Sequence, residues 1–411
     1  MLLYNIGIYL FAAGMRLAAL FHPKARLWLR GRKHIFRRLR EAIPEGERIF
    51  WVHAASLGEF EQGRPLIEAV RAGHPEYKIL LTFFSPSGYE IRKNYPGADY
   101  IFYLPADTPR NARRFLRTVR PEIAVFVKYE FWLNFLKQLR RSGCRTFIVS
   151  AIFRPDSVFF RWYGGIFRRG LRTFERLFVQ NSDSELLLDN IGISNISIAG
   201  DTRFDRVNAI AASARRIGIA ERFAQGGGHV FVAGSTWPPD EELLAELIAR
   251  RPGMKFIIAP HEIDPARIER LRGRLGCPSA RYTECTEETD LSGVRVLFID
   301  TIGILSSVYR YADYAYIGGG FGVGIHNILE AATFGLPIAF GPNYGKFREA
   351  REMIALGAAR SVREYGELND WLEALESDPQ LYEHTRRLSA RYIGENKGAT
   401  EKIMRYIFGK R

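Results

Sequence analysis

The stretch WVHAASLGEFEQGRP (51–65) continues the apolar run Arg48-Ile49-Phe50-Trp51-Val52 and opens into a helical pattern from Gly63 to Ala69. Strand, small-residue loop and helix start come in succession. In a doubly wound α/β sheet such a turn lies at the carboxyl edge of the strands, where ligands bind. One carboxylate, Glu59, stands in the first helical turn beside Gly58. Two readings of it stay open. Ser56-Leu57-Gly58-Glu59 has the S-x-x-E spacing of a capping box, and an acid there complements the helix dipole. The same position suits a catalytic base at the ligand edge.

Outward from this turn, short apolar runs alternate with helical segments. The runs are Ile49–Val52, Ile79–Phe84, Tyr100–Tyr103, Ile123–Val127, Thr146–Val149, Arg176–Val179 and Ile196–Ala199. They predict a mainly parallel sheet with crossover helices. A second series comprises His229–Ala233, Lys255–Ala259, Arg295–Ile299, Tyr314–Ile317 and Pro337–Phe340. Between the two, 206–228 reads as a linker ending in Gln225-Gly226-Gly227-Gly228. The expected division is an anchor and basic segment at 1–40, one Rossmann-like domain at 41–205, the linker at 206–228 and a second Rossmann-like domain at 229–411.

The 411-residue length fits two domains, and 47% hydrophobic with 25% charged residues is an ordinary globular balance. A formal net charge of +14 implies an anionic partner: nucleic acid, anionic lipid or a phosphorylated substrate. Cys144, Cys277 and Cys285 are widely spaced, which indicates neither a disulfide framework nor a zinc site, and fits a reducing compartment.

The most apolar window, 2–21, holds Arg16 and ends in a basic cluster. Lys24, Arg26, Arg30, Arg32, Lys33, Arg37, Arg38 and Arg40 occur with no acid before Glu41. Such a pattern favours the cytoplasmic membrane face and anionic headgroups, with residues 2–21 either spanning the bilayer or lying in the interface. A cleaved signal peptide is not expected. Further arginines at 110, 113, 114, 117 and 120, then at 154, 161, 168, 169 and 172, belong either to solvated helix faces or to the anionic partner.

Further candidates sit where strands end. Gly318-Gly319-Gly320-Phe321-Gly322-Val323-Gly324 reads either as a phosphate-cradling loop or as a tight turn. Asn327 and Glu330 have capping-box-like spacing, yet could equally meet the phosphate and ribose of a nucleotide. Pro260-His261 ends a strand, Glu130 follows another, and Ser235 and Thr236 are weaker candidates.

The stretch HAASLGEFEQGRP resembles the H-(A/S)-x-S-x-G-E signature of bacterial 3-deoxy-D-manno-octulosonic acid (Kdo) transferases. The resemblance continues through TFFSPSGYE (82–90), KYEFWLN (128–134), GDTRFD (200–205), APHEID (259–264), DTIGIL (300–305) and GIHNILEAATFG (324–335), in the family's order. It implies the two-domain GT-B arrangement, with the acceptor on the first domain, the donor on the second, and the last helix, about 379–409, packing back on the first. It further implies Glu59 as general base, with Glu130 and Arg203 supporting the transition state. CMP contacts are implied for Pro260, His261, Ile302, Gly303, Ile304, Asn327, Ile328, Leu329 and Glu330. The chain departs from the family pattern in places. Arg203 replaces a usual Lys, Ile304 a usual Glu and Ile328 a usual Pro, while Lys128 and Leu133 replace a Glu and a Pro.

The expected function is transfer of Kdo from CMP-Kdo to a phosphorylated lipid A precursor (lipid IVA) in lipopolysaccharide synthesis. Inversion by single displacement at the cytoplasmic face of the cell inner membrane is expected. There is no convincing D-x-D motif, so neither metal nor cofactor is expected. The alternatives are a GT-B enzyme using a UDP-sugar, or a basic, membrane-associated nucleic-acid-binding protein. The latter lacks the interleaved aromatics of RNA-binding modules, so no nucleic-acid partner is expected.

Overall fold

The computed structural model describes residues 1–409. The chain forms two compact units, one of Met1–Arg206 with the described part of Lys397–Arg411, the other of Val207–Asn396.

The first unit is built on β1 (Ile49–Ala54), β2 (Lys78–Phe83), β3 (Tyr100–Tyr103), β4 (Pro121–Val127), β5 (Arg145–Ala151), β6 (Arg176–Val179) and β7 (Ile196–Ile198). Their order is β3-β2-β1-β4-β5-β6-β7, and neighbours pair in parallel. Every residue of β1 is buried, as an interior parallel strand covered on both faces requires. Side chains alternate across it. Ile49 and Trp51 join one core, while Phe50, Val52 and Ala54 join the other.

The strand order turns back between β1 and β4, so the loops after these two strands flank the crevice where doubly wound sheets bind ligands. The helix after β1, α4 (Leu57–Gly73), starts earlier than the expected Gly63 and runs through Pro65. Pro65 loses one helical hydrogen bond, but it is buried together with Leu66, Ile67 and Val70.

Three helices precede β1. They are α1 (Leu2–Ala18), α2 (Pro23–Arg32) and α3 (Ile35–Ala42). Residues 1–40 are not a detachable anchor. Ala25, Trp28, Ile35 and Leu39 are buried, and the last two belong to the main core of the first unit. Among the described residues no single helix is long and apolar enough to cross a membrane, and α1 and α2 bend by 120° at their junction. Along α1 the half-buried positions are Tyr4, Asn5, Ile8, Ala12, Met15 and Ala18. That is a helical stripe lying against the unit. Leu2, Leu3, Leu10 and Leu17 on the open side are 67–84% exposed.

The second unit holds β8 (Val230–Thr236), β9 (Lys255–Pro260), β10 (Ser279–Arg281), β11 (Val296–Phe298), β12 (Tyr314–Ile317), β13 (Ile338–Phe340) and β14 (Ala359–Ser361). The order β10-β11-β9-β8-β12-β13-β14, again parallel, turns back between β8 and β12.

The expected linker at 206–228 is folded. It contains helices Arg203–Ala212 and Gly218–Gln225, with Ala220 and Phe223 buried. The Phe223 carbonyl accepts from Lys255 Nζ at 2.8 Å. The expected last helix is two. Pro379–Asn396 belongs to the second unit and Ala399–Phe408 to the first. Gly398, at φ 99°, makes the break, and Asp205 accepts from the Gly398 and Thr400 amides at 2.5 and 2.7 Å. Ala399, Ile403 and Ile407 then complete the core under β1.

Candidate functional site

In the first unit Glu59 occupies the third position of α4, whose N-cap is Ser56. Among the described residues Ser56 makes no side-chain capping bond to the backbone. Its hydroxyl donates instead to Glu59 Oε2. The reciprocal capping box allowed by the spacing is absent, and Ser56 orients the carboxylate itself. Gly58 is exposed, and a Cβ there would meet only Ser56 Oγ at 3.8 Å. Nothing in the protein's own packing requires glycine at that position.

One helical turn on, Gln62 Nε2 donates to both Asp201 oxygens at 3.1 and 3.0 Å. Asp201 in turn accepts from the Arg203 amide and from Arg203 Nε, both at 2.9 Å. Burial alone would raise the Asp201 carboxyl, but Arg203 and Gln62 together hold it below its ordinary range. Glu59 and Arg203 are thus tied to one frame through α4. Tyr129 reports the same convergence. Burial pushes its phenol up, and the charges of Arg154, Glu59, Asp201 and Arg203 all act on it.

Glu130 follows β4 in a turn that Lys128 enters with φ 69°. Its carboxylate is not a surface acid, for the side chain is 12% exposed. Glu130 Oε2 accepts from Trp132 Nε1 at 2.6 Å and lies 3.2 Å from His53 Nε2. The other ring nitrogen of His53 lies 2.9 Å from Thr82 Oγ1 and 3.1 Å from the Thr82 carbonyl. Thr82 Oγ1 also accepts from Trp51 Nε1 at 2.7 Å. His53 and Thr82 are directly opposite one another on β1 and β2. The reading by residue type did not assign His53, Thr82 and Trp132 to the site. Their signal was available, since His53 opens the quoted signature and Thr82 and Trp132 lie within two of the other quoted blocks.

In the second unit the candidates again line the carboxyl edge. Pro260 is the buried last residue of β9, and His261 next to it is exposed. The rings of Trp237 and His326 lie within 10° of parallel, and Trp237 Nε1 donates to His326 Nε2 at 2.9 Å. His261 stacks on both, with centroids 4.8 Å from Trp237 and 4.1 Å from His326. Burial, helped by His261, lowers the His326 imidazole to about 4. His326 is therefore the neutral acceptor of the indole N–H at neutral pH. Trp237 and His326 were not picked out from the sequence.

Asn327 Nδ2 donates to Glu330 Oε1 at 2.9 Å, and Asn327 Oδ1 accepts from the Leu329 amide at 3.2 Å. Asn327 and Glu330 are thus paired, as Ser56 and Glu59 are. Ile328 and Leu329 have fully buried side chains, so only their backbone can meet a ligand. Gly303 takes φ 94°, and the flanking Ile302 is 89% exposed. Thr236 is buried, bonded to Glu241 at 3.1 Å, and Ser235 sits at φ 56°.

The glycine run is a packing device. A Cβ on Gly318 would stand 2.2 Å from the Ser235 carbonyl, and one on Gly320 would stand 2.6 Å from Gly341 Cα. The Gly319 amide donates to the buried Asp240 at 2.9 Å, and the Gly322 and Gly324 amides turn back to the Gly319 carbonyl. These donors are spent inside the protein, over an acid. The tight-turn reading accounts for them.

Two parallel doubly wound units, each with its polar residues at the switch point, define the GT-B fold. Solved structures with this fold include a UDP-GlcNAc 2-epimerase from Neisseria meningitidis bound to UDP-GlcNAc. It has a TM-score of 0.61 and 16% identity, covering 88% of this chain and all of that one. A putative UDP-N-acetylglucosamine 2-epimerase from Listeria monocytogenes gives 0.59 and 12% over 89% and 98%. At these identities the likeness is one of fold.

Sequence carries the family. The family model described as 3-deoxy-D-manno-octulosonic-acid transferase (kdotransferase) matches residues 30–206. The 3-deoxy-D-manno-octulosonic acid transferase of Bordetella pertussis is 28% identical over 86% of this chain and 85% of its own. That of Haemophilus influenzae is 25% identical over 88% and 87%. Over its first unit the chain matches the Kdo transferase family model, and along most of its length it is similar to Kdo transferases.

Proposed function

We propose that this enzyme transfers Kdo from CMP-Kdo to a hydroxyl of a phosphorylated lipid A precursor, lipid IVA. The observation that carries the reading is the Glu59 carboxylate. It is oriented by Ser56 at the switch point of the first sheet and framed with Arg203 through Gln62 and Asp201. The acceptor hydroxyl gives its proton to Glu59 as its oxygen bonds to the anomeric carbon. The bond from that carbon to the CMP phosphate breaks, its electron pair leaves with CMP, and the anomeric configuration inverts. Arg203 and Glu130 serve the developing charges, and no step calls for a metal ion.

CMP occupies the carboxyl edge of the second sheet. His261 offers a ring face, Asn327 and Glu330 offer polar groups, and the turn Ile302–Ile304 offers backbone. Gly303 supports the last role, because a position at φ 94° favours glycine, whose backbone carries no side chain of its own.

The acceptor's phosphates meet the basic cavities beside α1. One, of about 630 Å³, is lined by Arg16, Arg30, Arg37 and Arg114. Another, of about 600 Å³, is lined by Tyr9, Arg110, Arg113, Arg114 and Arg117. Among the described residues no acid lines either. The open apolar side of α1 rests in the cytoplasmic leaflet of the inner membrane, beside these cations.

Incubation of the pure enzyme with a tetraacylated lipid A precursor and either CMP-Kdo or UDP-sugars, read by mass spectrometry, tests the reading. Kdo-bearing product from CMP-Kdo alone is expected. Product from a UDP-sugar would overturn it.

A further inference from the structure

Helix α1 also packs on Phe167 and Trp28, and three of its contacts with the first unit lead to Glu130–Asn134. The first is Tyr4, whose hydroxyl donates to Asp107 Oδ2 at 2.6 Å and accepts from the Leu133 amide at 3.4 Å. Asp107 is buried and accepts from the amides of Asn134 and Phe135, both at 2.9 Å. These are the first-turn donors of helix Leu133–Ser142, whose own N-cap residue, Trp132, makes no capping bond. Asp107 is therefore a cap supplied from a distance, and Tyr4 holds the cap.

The second route is Asn5, whose Oδ1 accepts from Asn134 Nδ2 at 2.9 Å. The third is Phe11. Its ring lies 6.0 Å from Phe84, and Phe84 lies 4.6 Å from Trp132. Trp132 is the residue whose indole N–H holds the Glu130 carboxylate at 2.6 Å.

We propose that α1 is a positioning element of the transfer site, in which Tyr4 and Asn5 set Glu130 by fixing the Trp132 end of the following helix. The inference rests on reading Glu130 as part of the transfer machinery. Its consequence differs from that of an anchor. An anchor changes how much enzyme reaches the bilayer. A positioning helix changes turnover per enzyme even where no bilayer is present. The two faces of α1 divide these roles, with Tyr4 and Asn5 on the docked stripe and Leu10 on the open side.

The test uses the full chain carrying Tyr4→Phe together with Asn5→Ala, assayed with CMP-Kdo and a tetraacylated lipid A precursor in detergent micelles. Deuterium exchange of the peptide covering 128–135 is followed in parallel. Expected results are a fall in kcat of about tenfold or more, a KM for CMP-Kdo within twofold of wild type, and faster exchange confined to that peptide in the first unit. The single variant Asn5→Asp, which keeps an acceptor for Asn134, should recover most of the rate lost in Asn5→Ala. Leu10→Ser should weaken binding to anionic vesicles and leave exchange at 128–135 at the wild-type rate. Double-variant kcat within twofold of wild type, or lost activity with unchanged exchange at 128–135, overturns the proposal. Wild-type enzyme that makes no Kdo product would sink the functional reading instead, and the exchange contrast would still decide the coupling.

Discussion

Replacing Glu59 by glutamine separates chemistry from folding, because the structure assigns the two very different magnitudes. The side chain's bond is to Ser56 Oγ, and a glutamine carbonyl can still accept it. Ser56 caps no backbone amide here, so no helix cap is lost with the charge. The stability cost is that of weakening one partly buried hydrogen bond, about 1 kcal/mol or less. In a domain of this size that moves the melting midpoint by about 2–4 °C. Loss of a general base costs a factor of about 10²–10⁴ in rate. At about 1.4 kcal/mol per tenfold, that is about 3–5 kcal/mol on the barrier. The assay is single-turnover formation of Kdo-lipid at saturating CMP-Kdo, paired with a thermal melt. A folded Glu59→Gln protein turning over within tenfold of wild type would refute the role, leaving Glu59 a partner of Ser56 and nothing more.

Glu330→Ala should reduce the protection that CMP gives against thermal unfolding, since a ligand bound to the native state raises apparent stability; an unchanged midpoint shift across a CMP titration would take Glu330 out of the site. Arg32→Ala should destabilise the first unit by about 3 kcal/mol or more, because three carbonyls, of Trp28, Phe84 and Leu104, lose their donor. Arg30→Ala should instead leave the melt within about 0.5 kcal/mol and weaken binding to anionic vesicles by about 1 kcal/mol; equal effects of the two on the melt would contradict the division of the cluster. The lowered His326 imidazole means that the unfolded chain binds its proton first as pH falls. Stability of the second unit should therefore drop between about pH 6.5 and 4, and His326→Asn should flatten that slope in pH-dependent melts.

Much of the fold was legible because buried parallel strands read as apolar runs; β1 at 49–54 and β9 at 255–260 announce themselves in this way. The strands β10 and β14 did not. Each is three residues long at a sheet edge, and neither is a run of buried apolar side chains. The basic cluster was legible as charge but not as structure. Arg32 looks like its neighbours in sequence. In the fold its guanidinium lies 3.8 Å over the Trp28 ring, and burial lowers it to about 9. Arg38 similarly donates to the Gly31 carbonyl and packs over Phe102. Nothing local distinguishes a cation that staples a helix from one that faces a headgroup, because the carbonyls and rings that hold Arg32 include Phe84 and Leu104, far along the chain.

The polar pairs at the two switch points show a second limit of the same kind. Ser56 and Glu59, and Asn327 and Glu330, stand three residues apart at the start of a helix, and that spacing is the signature of a cap. A cap requires the side chains to reach back to backbone amides. In both units they reach each other instead, through Ser56 Oγ to Glu59 Oε2 and through Asn327 Nδ2 to Glu330 Oε1. Asn327 still serves one amide, that of Leu329, while Ser56 serves none among the described residues. Three-residue spacing places two side chains on one helical face, so it suits both arrangements equally. What separates them is where the carboxylate is held. A capping carboxylate turns inward to the N-terminus and is consumed there. One held by a neighbouring hydroxyl or amide keeps a defined direction toward the crevice, and a base or a ribose contact needs that direction.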